Sequence, residues 1–490
     1  MKRHYKQFGW FLLILLFALL IRILFIRSVI DRDWPFSVFY YGDSNHYHLY
    51  AMALLHGELY DQGIPFHPPF YAWFLSAIYK ILGPPVSSGY PYKFWMAVIS
   101  SITVAFTWLW WRKAIGEFWS WIGAALLCFH FGWLLFSATF ANEVLYCLFL
   151  SATAGLLWLR GKTFSWRDAA VLGVLTGVAA LTRGEHSSLW PFFLLYLWIR
   201  RDRTVSSRNH FARWGLAVAI SLVVLIPTTV RNWLVLSAHN QKTSHLEPLS
   251  RFVPVTSYGP VNFALANSDS ADGGFTPDLI TQLDGDGGIN MENAGHRKLY
   301  IHGYSIGIAW IKQNPDKAFQ LFLRKFNRWL DGFRIGFGVS NFPGGLAGNR
   351  PPVDLFVPNN TFAKWPGVLL LAIGIFFSMK KEHRAYSICS LILLHRLILT
   401  ELFFGYARGL VVMLPVIIPL MLLPLIIASS KWPVVKKAVG TVTIVAVILF
   451  TLQALEIVSG PPRNFQASGS SDNRGKIIQD DWVKIWPAKE

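Results

Sequence analysis

The chain has 490 residues, of which 53% are hydrophobic, 16% aromatic and only 15% charged, and its mean hydropathy is +0.39. Because an average soluble domain carries about 25% charged residues, this composition excludes an ordinary soluble protein and predicts an integral membrane protein. The net charge of +18 does not indicate nucleic-acid binding, because the basic residues form short clusters between apolar segments, where they favour cytoplasmic loops.

The apolar segments predict an all-α, polytopic membrane protein with about eleven transmembrane helices. The predicted spans lie near 9–27, 93–111, 117–137, 143–160, 168–182, 187–200, 214–233, 364–379, 385–401, 409–429 and 438–456. When every basic cluster is placed in the cytoplasm, successive spans cross the membrane in opposite directions and the number of spans between clusters is consistent throughout. The N-terminus is then cytoplasmic, and the first span is a retained anchor, since the segment 22–27 offers no small-residue cleavage site.

This topology divides the chain into an N-terminal transmembrane module (1–233), an exported loop (234–363), C-terminal transmembrane helices (364–456) and an exported tail (457–490). The N-terminal module contains a smaller exported loop, 28–92. Within that loop, aromatic and aliphatic residues recur at helical spacing and predict two interfacial helices, 44–56 and 68–82. The larger loop, between the seventh and eighth spans, is predicted to hold helices over 294–313 and from 315 to about 330.

Asp43 is the most informative acidic residue of the first exported loop. It follows the first span on the predicted exported side of the membrane. A carboxylate held there is suited to accept a proton from a hydroxyl beside a membrane-embedded substrate. Aspartate just before a helix is also typical of an N-cap, and the two roles are compatible.

Two other acidic segments raise the question of a metal ion. Asp31 and Asp33 form a pair of the kind that chelates divalent cations, although two acids after a helix are more often a solvated charge cluster. The segment 284–288 is rich in Asp and Gly, but Ile289 stands where a calcium-binding EF-hand loop requires glycine. We therefore predict no metal site and no cofactor, with a divalent cation as the less favoured alternative.

A series of short motifs resembles the GT-C membrane glycosyltransferases. The resemblance is strongest to the bacterial branch related to protein O-mannosyltransferases and to the aminoarabinose transferase that modifies lipid A. In chain order the motifs are Asp43 with Tyr47, Ala51, Leu55 and Gly57; His67-Pro68-Pro69-Phe70-Tyr71; Asn142-Glu143; Leu181-Thr182-Arg183; Arg231-Asn232-Trp233; and Gly405-Tyr406-Ala407-Arg408 ahead of 414–419. Together they cover roughly residues 1–430.

The chain departs from the family pattern at three places. His67 stands where the aminoarabinose-transferase branch usually has lysine, and the second acid is Glu143 rather than aspartate. The loop 234–363 is poorly matched, and in such enzymes this region generally contributes to acceptor recognition. The acceptor is therefore the least transferable part of the resemblance.

The resemblance implies transfer of a sugar from a polyprenyl-phosphate donor to an acceptor on the exported face, with inversion at the anomeric carbon. The catalytic acids implied are Asp43, as the base, and Glu143, which orients the acceptor or the sugar. Since guanidinium groups match phosphate oxygens, the donor phosphate is expected at Arg183 and Arg408, with His67 and Lys93 as further candidates. His46, Tyr47 and Tyr406 are expected to line the site.

The expected partners are the lipid-linked donor, a lipid, glycan or protein acceptor, and membrane lipids, but not nucleic acid. Two other classes of protein stay open. A transporter or flippase of lipid-linked sugars would have broken helices with polar sites at mid-membrane, and neither a broken pair nor an internal repeat is evident. An O-antigen ligase or polymerase would concentrate its chemistry in a large later loop, whereas Asp43 lies in the first one.

Overall fold

The computed structural model describes residues 2–28, 43–85, 89–138, 140–276, 278–280, 289–333 and 364–459. The Asp31/Asp33 pair, the acidic segment 284–288 and nearly all of the predicted exported tail lie outside these residues.

The described residues are mainly helical, and we number the helices in chain order. They are α1 (Lys2–Ser28), α2 (Asp43–His56), α3 (Pro69–Leu82), α4 (Tyr90–Ala114), α5 (Glu117–Phe129), α6 (Phe131–Ala138), α7 (Glu143–Arg160), α8 (Trp166–Thr182), α9 (Trp190–Arg200), α10 (Ser207–Lys242), α11 (Gly259–Ala266), α12 (Ala294–Gln313), α13 (Pro315–Leu330), α14 (Trp365–Ser378), α15 (Ser387–Leu402), α16 (Ala407–Val411), α17 (Leu414–Lys431) and α18 (Pro433–Ser459). The four helices predicted in the two large loops are confirmed as α2, α3, α12 and α13, whereas their interfacial location stays a prediction.

Within the part of the chain that the structure describes, seven helical segments are long and apolar enough to cross a bilayer. They are Gln7–Ile26, Tyr90–Ala114, Glu143–Arg160, Ser207–Lys242, Lys381–Leu402, Leu414–Lys431 and Pro433–Leu452. The protein is therefore a polytopic membrane protein, as its composition predicted. The remaining four predicted spans correspond to shorter helices, namely α8, α9, α14 and the α5–α6 pair, so the total of eleven stays a prediction.

The segment 117–137, predicted as one span, is two helices. Helix α5 ends at Phe129, and His130 has an extended backbone (φ −67°, ψ 119°) before α6 begins. The new direction brings Gly132 so close to Val411 that a Cβ there would lie 2.7 Å from a Val411 methyl group. The Trp133 indole also donates a hydrogen bond to the Val411 carbonyl oxygen (2.9 Å). The sequence is apolar throughout this break, so hydropathy predicted one continuous span. The break depends on the tertiary contacts with Val411, which hydropathy does not report.

Two glycines spaced four residues apart allow α8 and α10 to cross closely. A Cβ at Gly173 would lie 2.5 Å from the Ala217 carbonyl oxygen, and one at Gly177 would lie 2.7 Å from the Val224 Cβ. Small residues at this spacing are a common means of bringing membrane helices into backbone contact. The crossing fixes α8, whose C-terminal end carries Arg183 into the site described below.

We expect Gly177→Val to lower the stability of the protein, because the added side chain overlaps Val224. Overpacking of this kind costs about 1–3 kcal/mol, which should appear as a lower thermal midpoint in detergent. Gly215→Val is the matched control, since Gly215 lies on α10 with no atom within 4 Å of its would-be Cβ. Equal destabilisation by the two substitutions would contradict this account of the crossing.

The two ends of the helical bundle differ in charge. Helix α7 begins at Glu143 and ends at Arg160, and α8 returns from there to Arg183. The connection at the Arg160 end is basic, with Lys162 and Arg167. At the opposite end Glu143, one of the two acids predicted for the site, meets Arg183 in an ion pair. We call this end of the bundle the acidic end.

Candidate active site

Four of the predicted site residues are brought to the acidic end by different helices. Asp43 is the first residue of α2 and Glu143 the first residue of α7, where the positive end of the helix dipole favours a carboxylate. Arg183 follows the last residue of α8, where the dipole favours a cation. Arg408 lies in the short helix α16. Local helix electrostatics therefore support three of the four charges before they pair with one another.

These side chains form a continuous run of ion pairs. The Arg408 guanidinium contacts the Asp43 carboxylate (Nη2 to Oδ2, 2.8 Å) and lies 3.5 Å from Glu143 Oε1 through Nη1. The same Glu143 oxygen accepts a hydrogen bond from Arg183 Nη1 at 2.9 Å. Glu143 therefore sits between two arginines, and its other oxygen, Oε2, is buried without a hydrogen-bond partner among the described residues.

The run continues inward through two residues that the sequence analysis did not assign to the site. Glu185 Oε1 accepts hydrogen bonds from Arg183 Nε (2.9 Å) and from Arg396 Nη1 (3.1 Å). Glu185 lies in the 3-10 turn after Arg183, and Arg396 lies in α15. We call the whole set the acid–arginine chain: Asp43, Arg408, Glu143, Arg183, Glu185 and Arg396.

The members of the acid–arginine chain differ in exposure, and the Asp43–Arg408 pair is the most exposed. The three carboxylates and three guanidinium groups of the set balance in formal charge. The Arg408 and Asp43 side chains are 41% and 42% exposed, whereas Arg183 and Glu143 are 15% and 1% exposed. A ligand arriving from outside the protein therefore meets the Asp43–Arg408 pair first.

The ion pair with Arg408 determines the charge state of Asp43. Partial burial acts to raise the pKa of this carboxyl, but the positive charge of Arg408, with smaller contributions from His67 and His46, lowers the pKa below its usual value. Asp43 is therefore ionised at neutral pH. The pKa of Arg408 is raised because Asp43 and then Glu143 outweigh the opposite effect of burial.

A group of rings surrounds Asp43. The His46 imidazole stacks on that of His67 (centroids 4.8 Å apart), and its Nδ1 lies 2.6 Å from the Tyr60 hydroxyl. His67 was predicted to contact the donor phosphate, and its ring centroid lies 6.3 Å from that of Tyr258. Burial, and then the neighbouring His46, lower the pKa of His67 to about 3. His67 is therefore neutral at physiological pH and brings ring surface and hydrogen-bonding nitrogen atoms to the site rather than positive charge.

Tyr47 and Tyr406, both predicted to line the site, lie beside different members of the acid–arginine chain. The Tyr47 hydroxyl accepts a hydrogen bond from Asn142 Nδ2 (2.7 Å), and the same amide nitrogen donates to the Thr182 carbonyl oxygen (3.0 Å). This amide thus joins α2, α7 and α8 directly beside Glu143. The Tyr406 ring lies under the Arg408 guanidinium, 5.0 Å from its centroid, and helps to orient that group.

The structure thus places Asp43, Glu143, Arg183 and Arg408 in one cluster, and their roles stay predictions. Lys93 is fully buried near the start of α4, and its described contact is with the Tyr90 ring, 5.6 Å from the ammonium group. The role of Lys93 in phosphate binding stays a prediction. Among the described residues no group of three or more His, Cys, Asp or Glu side chains is arranged to hold a metal ion.

The sequence and the fold were compared with known proteins. Residues 66–230, less than half of the chain, match the family model described as dolichyl-phosphate-mannose-protein mannosyltransferase. A search of curated proteins gave no significant match. The oligosaccharyltransferase of Archaeoglobus fulgidus in its apo form superposes with a TM-score of 0.50 at 13% identity, covering 98% of this chain and 60% of the archaeal one. The chain therefore spans less than two thirds of the length of that enzyme.

A second structure, ArnT from Cupriavidus metallidurans in the apo state, superposes with a TM-score of 0.37 at 15% identity, covering 84% of this chain and 76% of ArnT. That similarity is too low to support an argument, and the archaeal one shows the fold alone. With the match over 66–230, the archaeal structure confirms the predicted resemblance to the GT-C membrane glycosyltransferases. The chain has a GT-C-like membrane fold.

The lowered pKa of Asp43 predicts how the ion pair responds to acid. Because the folded-state pKa lies below the value of an unfolded aspartate, about 3.9, the stabilising contribution is fully present above that value. It is lost as the pH falls through the folded-state pKa. The difference in thermal midpoint between the wild type and Asp43→Asn should stay constant from pH 5 to 8 and narrow below about pH 4. A difference that grows on acidification would contradict the assigned pairing.

Proposed function

We propose that the protein transfers a sugar from a polyprenyl-phosphate donor to a nucleophilic acceptor at the acidic end of its bundle. The observation that carries this proposal is the partly exposed Asp43–Arg408 pair. It places an ionised carboxylate next to a guanidinium group at the end of a membrane-embedded bundle. A lipid phosphate leaving group and an acceptor hydroxyl need these two groups side by side.

Arg408 is the phosphate ligand in this proposal. A guanidinium group presents forked donors that suit phosphate oxygens, and Arg408 is the more exposed of the two arginines that contact Glu143. Arg183 is largely enclosed and holds Glu143 in place. Because His67 is neutral, we assign its stacked ring, with His46, to the wall of the sugar site. The polyprenyl tail then extends into the bilayer.

The chemistry follows from the two outer groups. The acceptor oxygen attacks the anomeric carbon and forms the new glycosidic bond, while the bond from that carbon to the phosphate oxygen breaks. The acceptor proton passes to the Asp43 carboxylate, and polyprenyl phosphate leaves as an anion stabilised by Arg408. A single displacement inverts the anomeric centre. Glu143, with its unpartnered Oε2, is placed to accept a hydrogen bond from the acceptor or the sugar.

Donor binding also prepares the base in this scheme. In the free protein Asp43 is held by Arg408 and has a lowered pKa, which makes it a weak proton acceptor. A phosphate bound to Arg408 competes for the same donors and offsets its positive charge. The carboxylate is then freed, and its pKa rises toward the usual aspartate value. Proton transfer to Asp43 thereby becomes dependent on a bound donor.

The placement of the charges supports an enzyme rather than a transporter. Transporters of the inverted-repeat type bind their substrates near the middle of the membrane, whereas the acid–arginine chain lies where α7 begins and α8 ends. By the positive-inside tendency, the basic connection at the other end is cytoplasmic. We therefore place the site on the exported face, as the sequence predicted.

We expect Asp43→Asn to reduce turnover about 10²–10⁴-fold, the usual contribution of a general base. Turnover is measured with purified protein as release of polyprenyl phosphate from lipid-linked sugars. Binding of undecaprenyl phosphate should be retained, because Arg408 remains. Asp272→Asn is the matched control, since it neutralises an aspartate paired with Arg328 at 2.6 Å away from the acid–arginine chain. Full turnover by a folded Asp43→Asn protein would overturn the assignment of the base.

We expect Arg408→Gln to weaken the binding of undecaprenyl phosphate by about tenfold or more, since charge-assisted hydrogen bonds contribute about 1.5–3 kcal/mol and 1.4 kcal/mol is a factor of ten. The binding is measured by native mass spectrometry or by thermal shift at increasing lipid concentration. Arg328→Gln removes an exposed, paired arginine outside the site and serves as the control. Equal affinity for the lipid in the Arg408 variant and the wild type would contradict the proposed phosphate site.

A further inference from the structure

Beyond Arg183, the acid–arginine chain contains a partly exposed carboxylate, Glu185, that the proposed chemistry does not use. Its Oε1 receives hydrogen bonds from two guanidinium groups, those of Arg183 and Arg396. Burial acts to raise the pKa of Glu185, but Arg183 and then Arg396 outweigh it and lower the pKa to about 2. Glu185 is therefore a fixed negative charge at physiological pH.

Arg396 is held in place from the opposite side. The side chain is 9% exposed, and its guanidinium group packs against Gly409. A Cβ at Gly409 would overlap three guanidinium atoms, so α16 approaches this arginine closely only because residue 409 has no side chain. Glu185 is the carboxylate that offsets the charge of Arg396 in the described part of the chain.

These contacts determine the orientation of Arg183. Its Nε is bound by Glu185, its Nη1 is bound by Glu143, and the guanidinium carbon lies 5.5 Å from the centroid of the Tyr146 ring. With Nε occupied, a single terminal nitrogen of Arg183 meets Glu143. If Glu185 were absent, the fork of Arg183 could turn and engage both oxygens of Glu143.

We propose that Glu185 is a positioning residue of the transferase site: anchored by Arg396, it fixes Arg183 so that one oxygen of Glu143 stays available to the substrates. This inference rests on the proposed function, because the role of Glu143 is to orient a substrate there. The inference predicts that turnover and lipid binding respond differently when Glu185 is replaced. Loss of Glu185 should impair turnover, but it should not weaken binding of the lipid phosphate at Arg408.

The charge balance adds a second expectation. The acid–arginine chain pairs three carboxylates with three guanidinium groups. Glu185→Gln leaves one positive charge in excess at the site. An anionic lipid should then bind as tightly as before or more tightly, even while turnover falls. A residue whose role is only to hold the fold together would weaken binding, turnover and stability together.

The test uses the full-length protein in detergent, with undecaprenyl phosphate as the binding probe. For Glu185→Gln we expect kcat to fall at least about tenfold, with a Kd for undecaprenyl phosphate equal to or severalfold tighter than that of the wild type. Glu185→Asp, which keeps the charge, should recover part of the lost turnover. Glu117→Gln is the matched control, because it neutralises a glutamate paired with Arg112 at 3.8 Å outside the acid–arginine chain.

Wild-type kcat in Glu185→Gln, or parallel loss of binding and thermal stability, would overturn the inference. If Glu185→Gln does not fold, Glu185→Asp and Arg396→Met carry the test. Glu185→Asp should then lower kcat severalfold at an unchanged Kd. Arg396→Met should lower kcat severalfold with a somewhat higher Kd, because it leaves one negative charge in excess. Wild-type kcat in both would overturn the inference. A wild-type protein that neither binds undecaprenyl phosphate nor uses any lipid-linked sugar refutes the proposed function, and the inference with it. An active wild type with a fully active Glu185→Gln variant refutes the inference alone.

Discussion

Six charged side chains at one end of a membrane-embedded bundle must neutralise one another, and this electrostatic requirement governs how the helices that carry them pack. An isolated charge in such surroundings is costly, and removing one partner of a buried pair leaves the other uncompensated. The members of the acid–arginine chain come from α2, α7, α8, α15 and α16 and from the turn after α8. The six charges are therefore neutralised only when each of these elements packs in its observed position. The pairing specifies the convergence of the helices as well as the chemistry of the site.

The same pairing gives the two halves of the set different functions in our account. Glu143, Arg183 and Arg396 are largely enclosed and held by ion pairs, so that they present a preorganised arrangement that needs little rearrangement during a reaction. Asp43 and Arg408 are partly exposed, so a ligand is able to enter between them. An anion that binds the guanidinium alters the proton affinity of the carboxylate. In the proposed mechanism, substrate binding and base strength are coupled because the two groups share an ion pair in the free protein.

Much of this arrangement was predictable from the sequence. Composition, hydropathy and the alternating basic clusters gave the membrane class, and helical spacing predicted the helices of both large loops. The order of short motifs pointed to Asp43, Glu143, Arg183 and Arg408, which the structure brings together. Other features depend on tertiary contacts and cannot be predicted from a local sequence pattern. The break at His130 follows from the packing of α6 on α16, in a stretch with no proline.

The sequence also contained signals that were not used. Glu185 lies two residues after Arg183, which the sequence predicted as a phosphate ligand, and a carboxylate so near it was a reason to suspect a supporting role. Arg396, an arginine within an apolar segment, calls for a partner by the same argument. The spacing of Gly173 and Gly177 indicated a close helix crossing. No sequence pattern could predict that Glu185 pairs with Arg396, because the two residues are 211 positions apart.

The decisive experiment is a structure of the protein with a bound polyprenyl phosphate. Our account predicts the phosphate within hydrogen-bonding distance of the Arg408 guanidinium, the Asp43 carboxylate released from that arginine, and the Glu143–Arg183–Glu185 contacts unchanged. A phosphate bound elsewhere, with the Asp43–Arg408 pair intact, would contradict it.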